Sequence, residues 1–239
     1  MERIAAVSKT LGILQPSYLP WLGAIEQIWA SELFVLYDDV QFDKGGWRNR
    51  NRIKTPQGPL WLTVPVLTKG GGFPLIRDVK INKAERWAER HVKSLCQNYA
   101  RAPHFERYAP ELFQLLEKKH DYLLDLNLEL LNWIRQQLGI PTPFVLSSSL
   151  GIPGSSVDRL LAILAHFGAT RFYEGAAGRD YIDPKRFEQA GITIEFQDYR
   201  HPVYPQLHGE FVPYLSVIDL LFNVGPESLA VLTSASSKK

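Results

Sequence analysis

Two short apolar runs, Leu11 to Leu14 and Leu33 to Tyr37, stand on either side of a segment, Gly23 to Ala30, that carries Ile25, Ile28 and Trp29 at helical spacing. Brief apolar runs bounded by turn signals read as buried strands, and Pro16 and Pro20 close the first of them. Strand, proline-bearing loop, helix and strand together make the start of a parallel crossover unit. In sheets of that kind ligands bind outside the carboxyl ends of the strands. The residues there are Gln15, Tyr18, Asp38 and Asp39.

The same grammar resumes late in the chain. Phe144-Val145-Leu146 reads as a strand, and Ser155 with Asp158 has the form of a capping box opening a helix over Leu160, Leu161, Leu164 and Phe167, ended by Gly168. Arg171 to Glu174 is the next strand, delivering Glu174 into a loop from Gly175 to Tyr181. Asp183 and Pro184 start a short helix that ends near Gly191, and Ile192 to Phe196 follows as a strand. A closing helix covers Leu215, Ile218, Leu221 and Phe222 and stops near Gly225 and Pro226.

Between these halves the pattern changes. Asn51 to Lys54 and Leu60 to Val66 flank Pro56-Gln57-Gly58, which predicts a β-hairpin. Lys69-Gly70-Gly71-Gly72 lacks the spacing of a P-loop and reads as a connection. Val79 to Asn82 is one more short strand, and residues 83 to 138 read as a helical insertion split by Pro103 and Pro110. The expectation is one α/β domain over residues 1 to 239, with a mostly parallel Rossmann-like sheet, a β-hairpin and that insertion.

Composition narrows the function classes. A net charge of +2 on 239 residues is too small to predict a nucleic-acid partner, which normally calls for a concentrated basic face, so nucleic acid is not expected, although Arg48, Arg50, Arg52 and Lys54 cluster. Cys96 is the single cysteine, which rules out an intrachain disulfide and a cysteine-based zinc site and fits a reducing cytoplasm. His91, His104 and His120 have no acidic partners at metal-ligand spacing, so no metal site is assigned. No secretory signal is read in residues 1 to 10, and no run of about 18 apolar residues predicts a membrane span.

Three polar stretches concentrate the chemistry. The first two hold Gln15, Tyr18 and Trp21, then Asp38, Asp39, Gln41, Lys44, Trp47, Arg48, Asn49 and Arg50. The last holds His201, Tyr204 and Gln206. Cores do not need acids, amides and cations, because each must be desolvated, so the mixture points to a polar cleft. Asp38 or Asp39 would serve as base or Mg²⁺ ligand, Lys44, Arg48 and Arg50 would bind phosphate, and the indoles of Trp21 and Trp47 would stack on a base or sugar. His201 is a candidate proton carrier or phosphate ligand, or a structural residue. Glu174 and Gly175 mark a further candidate ligand loop, in which Gly175 and Gly178 are turn formers or points of close approach to a ligand. The acids could equally pair with the nearby arginines and brace the hairpin.

Three strings carry a resemblance: QPSYLPWLG from Gln15 to Gly23, DDVQFDKGGWRNRNRIKTPQGPLWLTVPV at 38 to 66, and HPVYPQLHGEFVPYLSVIDLLFNVGP at 201 to 226. On these the chain resembles the WbqC-like family, which is associated in bacteria with O-antigen and related surface-polysaccharide gene clusters. The resemblance spans residues 11 to 232 and implies work on an activated sugar, either by a transferase or ligase, with amide-forming or nucleotidyl transfer, or by a noncatalytic nucleotide-sugar or glycan binding protein. At the level of fold, strand, proline loop and helix start are similar to class I nucleotidyl transferases and adenylating ligases of the HUP type. That similarity implies ATP or a nucleotide sugar with Mg²⁺. Their His-x-Gly-His motif falls on Pro20-Trp21-Leu22-Gly23, which has no histidine, so Lys44, Arg48, Arg50 or His201 would have to stabilise the phosphates.

Overall fold

The computed structural model describes residues 9–67, 74–234 and 236; the Lys69-to-Gly72 stretch lies outside them. Strand β1 (Thr10–Leu14), helix α1 (Leu22–Trp29) and strand β2 (Leu33–Leu36) form the expected crossover. A hairpin of β3 (Arg50–Thr55) and β4 (Gly58–Thr63) follows, then the small pair β5 (Val66–Leu67) and β6 (Lys80–Ile81). Helices α2 (Trp87–Tyr99), α3 (Phe105–Glu117) and α4 (Leu123–Leu138) lead to β7 (Phe144–Leu146), α5 (Ser156–His166), β8 (Arg171–Glu174), α6 (Pro184–Gln189) and β9 (Thr193–Phe196). Helices α7 (Val217–Val224) and α8 (Ser228–Ser234) close the chain.

The central sheet runs β7-β2-β1-β8-β9 and all four pairings are parallel. This is an α/β, Rossmann-like architecture. Both faces of the sheet are covered, and the strands sort their side chains by twos. Leu11, Ile13, Leu33 and Val35 pack with α5 and α6 residues such as Leu160, Ile163 and Phe187. Phe34 and Leu36 face the other layer, with Ile25 of α1, Leu112, Leu130 and Phe222. The chain leaves β1 toward β2 on one side and leaves β8 toward β9 on the other, so the loops after β1 and β8 diverge and open a crevice between them.

Several local expectations are corrected. Pro110 lies inside α3 and does not split it. In the second turn it removes one hydrogen bond, and the buried face of Phe105, Tyr108, Ala109, Leu112 and Leu116 continues across it. The break comes at Lys118, which turns extended. Ser155 is the N-cap of α5, but its side chain makes no capping bond, and Asp158 pairs with Arg186 instead of closing a box. The second hairpin arm ends at Thr63, short of Pro65, which has no N–H to offer a ladder. Helices α7 and α8 run on as one stretch, Val217–Ser234, that among the described residues is long and apolar enough to cross a membrane, with mean hydropathy 1.2; 56% of it is buried inside the fold.

Candidate functional site

The crevice at the carboxyl ends of β1 and β8 holds a cavity of about 160 Å³ lined by Ile13, Leu14, Gln15, Tyr37, Ser156, Leu160, Glu174 and Tyr181. Strand β8 carries Glu174 to this point and leaves it 7% exposed. The loop behind it folds into a 3₁₀ turn, Ala176–Asp180, that brings the Tyr181 hydroxyl back to donate to Glu174 Oε1 at 3.2 Å. Gly178 makes that fold-back possible. A Cβ there would stand 2.4 Å from Glu174 Cγ and 3.1 Å from the Phe196 ring, so the close approach is to the acid's own side chain. Burial lifts the Glu174 carboxyl from 4.5 to about 7, against the opposing hydrogen bonds of Tyr181 and the Gly175 backbone. A carboxyl raised into that range can both take and return a proton near neutral pH. Burial, reinforced by the charge of Glu174, pushes the Tyr181 phenol up to about 12.

Asp38 and Asp39 sit at the end of β2, where the start of the Ser147–Leu150 turn meets them. Ser147 Oγ lies 3.0 Å from Asp38 Oδ1 and 2.5 Å from Asp39 Oδ1 and shares its one hydrogen between the two acids, the Ser148 amide donates to Asp38 Oδ1 at 2.9 Å, and Ser148 Oγ donates to Oδ2 at 2.6 Å. Asp38 is fully buried. Asp39 accepts from Ser147 and pairs with Arg159, whose guanidinium lies 5.0 Å from the centre of the Tyr37 ring. Burial raises the Asp39 carboxyl, but the Arg159 and Ser147 hydrogen bonds and the Arg159 charge outweigh it and leave it below the usual range. Mg²⁺ does not suit this pair, since it would have to sit beside the Arg159 guanidinium to reach Asp39, and Asp38 is closed off from solvent. Among the described residues no group of three or more His, Cys, Asp or Glu side chains is arranged for a metal.

The loop after β1 passes from the cavity to the hairpin. The carbonyl of Gln15 accepts from Arg48 Nη1 at 3.2 Å, and Asn51 Nδ2 donates to the Leu19 carbonyl at 2.6 Å. Arg48 is almost buried, which lowers its ionisation against the opposing charge of Asp43. Lys54, 1% exposed, gives its ammonium to the carbonyls of Gly209 and Glu210, and Val217 N donates to Pro20 O at 2.9 Å. The three polar stretches are therefore interlocked through backbone carbonyls. Tyr18 is fully buried and shares a 2.9 Å hydrogen bond with His91, so it shapes the loop and faces no solvent. Asn49 donates to Val64 O at 2.8 Å inside the hairpin root.

His201 does not come to the acids. Its ring packs among Tyr199, Tyr204, Phe211 and Tyr214, and its Nδ1 is 3.0 Å from Pro202 O. Burial lowers its ionisation and favours the neutral ring, partly offset by Pro202. Trp21 meets the same cluster through Tyr199 and Tyr214. Tyr204 is buried on Asp219 at 2.9 Å, and both amide atoms of Gln206 clip Val212. Gln41 bridges to Leu75, Lys44 and Trp47 are exposed, and Gly175 is half-buried beside the cavity.

Tyr37, Ser156 and Arg159 were not singled out from sequence. Tyr37 reads as the tail of an apolar run. Arg159 carried the available signal: a guanidinium amid the apolar positions Val157, Leu160, Ile163 and Leu164 of one helix, with its side chain only 7% exposed. Ser156 holds a left-handed backbone, φ 51°, which no residue pattern announces.

The WbqC-like protein family matches residues 15–231. A Mycobacterium tuberculosis (strain ATCC 25618 / H37Rv) protein described as "Uncharacterized protein Rv1507c" is 40% identical over 222 residues, 92% of this chain and 96% of that protein. No solved structure matches.

Proposed function

From the premise that the chain belongs to the WbqC-like protein family, we propose that it is a cytoplasmic enzyme transferring a group to or from an activated sugar precursor of bacterial surface polysaccharide, O-antigen included. The observation that carries this reading is Glu174, a buried carboxyl ionising at about 7 in a cavity at the carboxyl ends of β1 and β8. A buried carboxyl of raised ionisation lining a cavity at strand ends is the arrangement that general base catalysis uses. An acceptor N–H or O–H loses its proton to Glu174 as its nitrogen or oxygen bonds to the donor's acyl carbon or phosphorus, and the donor's leaving group departs with the bonding pair. Gln15, Ser156 and Tyr181 orient the acceptor. Asp38 and Asp39 hold the neighbouring loop and Arg159 in place.

Amide formation on an amino sugar suits the cavity well, because about 160 Å³ admits the reacting end of a sugar and not a whole nucleotide sugar. The test is product analysis by mass spectrometry with nucleotide-linked amino sugars and acyl donors, for the wild type and Glu174→Gln. Product with the wild type and a loss of about 100-fold or more in Glu174→Gln supports the reading. Tight binding with no product from any donor favours the second reading, a nucleotide-sugar or glycan binding protein, to which the engagement of Asp38 and Asp39 by Ser147, Ser148 and Arg159 also points.

A further inference from the structure

The cavity beside Glu174 is too small for a sugar carrying two phosphates and a base, so the remainder of such a substrate must lie outside it. On the hairpin, two indoles stand partly open to solvent, Trp47 at 36% and Trp61 at 41%, with ring centroids 5.3 Å apart. The Arg50 guanidinium lies 4.3 Å from the Trp61 centroid, and that of Arg52 lies 5.5 Å from Trp61 and 5.8 Å from Trp47. Among the described residues neither arginine has an acidic partner. Arg50 donates to the Gly45 carbonyl, Arg52 to the Tyr214 carbonyl at 3.2 Å, and the Nε of each has no acceptor. A guanidinium held over an indole face keeps its Nη groups at its edge, where the hydrogens not given to a carbonyl can meet a phosphate even though the Nε atoms are buried.

We infer that Arg50, Arg52, Trp47 and Trp61 form a platform that binds the diphosphate and the base of a nucleoside diphosphate sugar. The choice of a nucleotide sugar rests on the group-transfer reading above; the anion-binding character rests on the platform itself. Charge decides between occupants. Two unpaired guanidiniums beside exposed rings favour a compact dianion with a planar group attached over a neutral glycan. The platform also joins the cleft physically, since the Trp47 carbonyl accepts from Tyr18 N at 3.2 Å and the next residue, Arg48, bonds the Gln15 carbonyl.

The test is titration of the full chain with uridine diphosphate glucose, read by indole emission and calorimetry. Binding should quench emission, weaken as salt is raised, and weaken about tenfold or more in Arg50→Ala, Arg52→Ala and Trp61→Ala, with methyl glucoside failing to bind. Arg52→Lys, which keeps the charge and loses the planar fork, should fall between wild type and Arg52→Ala, which guards against a folding defect. No binding of uridine diphosphate glucose, unchanged affinity in all three alanine variants, equal affinity for methyl glucoside, or tighter binding of a single-stranded oligonucleotide or of anionic lipid vesicles would each overturn the assignment. Glu174→Gln separates the two claims. It should bind uridine diphosphate glucose like the wild type while losing turnover; retained turnover defeats the cleft reading without touching the platform.

Discussion

Tyr181 donates its hydroxyl hydrogen to Glu174 Oε1 over 3.2 Å, from a side chain that is itself 60% exposed. A solvent-facing phenol thus covers a buried acid and is the cheapest group to remove from the site. Tyr181→Phe deletes a hydrogen bond that favours the ionised carboxylate, so the Glu174 ionisation should move further above 7. A pH–rate profile should show its acidic limb displaced upward in this variant, with thermal stability within about 0.5 kcal/mol of wild type.

Glu174 and His91 should set opposing pH dependences of stability. A carboxyl raised from 4.5 to about 7 costs nothing below the unfolded value, and the cost grows as pH rises through 7, reaching roughly 3 kcal/mol above it. His91, lowered by burial from 6.5 to about 4, contributes stability that is complete above 6.5 and is lost as pH falls through 4. Between 4.5 and 6.5 the two trends counteract one another. Glu174→Gln should therefore be more stable than wild type at pH 8 and show stability rising with pH across that window, measured by urea unfolding at a series of pH values.

Asp39→Asn should damage the fold more than the exposed ion pairs do. The pair with Arg159 has side chains only 13% and 7% exposed, and breaking it leaves a guanidinium desolvated beside Tyr37. A loss of about 3 kcal/mol is expected, whereas Lys83→Ala, whose partner Asp121 is open to water, should leave stability close to wild type. Equilibrium unfolding of the two variants makes the comparison.

Gly12→Ala should be destabilising by about 1–3 kcal/mol, because a Cβ there would lie 2.6 Å from both the Phe34 ring and Ser31 Oγ. The midpoint of thermal unfolding reports it, and Phe34→Leu in the same chain should recover part of the loss.

Much of the architecture was legible along the chain. Leu11 to Leu14, Leu33 to Tyr37, Arg171 to Glu174 and Ile192 to Phe196 announced strands, and Pro56-Gln57-Gly58 announced the hairpin, since each rests on periodicity or turn chemistry local to a few residues. Local signals failed where distant packing overruled them. Pro110 stays helical on a continuous buried face, and the box expected of Ser155 and Asp158 does not form, Asp158 pairing with Arg186 instead.

By itself the sequence determined a parallel α/β sheet with its loops at the strand ends, and placed Gln15, Asp38, Asp39 and Glu174 in those loops. Only the tertiary structure decided which carboxyl is poised and which are bound. Asp38 and Asp39 acquire their donors from Ser147, Ser148 and Arg159, more than a hundred positions away, while Glu174 is buried with only the Tyr181 phenol and the neighbouring Gly175 amide to oppose desolvation. Ionisation follows from desolvation and from the donors that surround a group in space, and neither quantity is written in the order of residues along the chain.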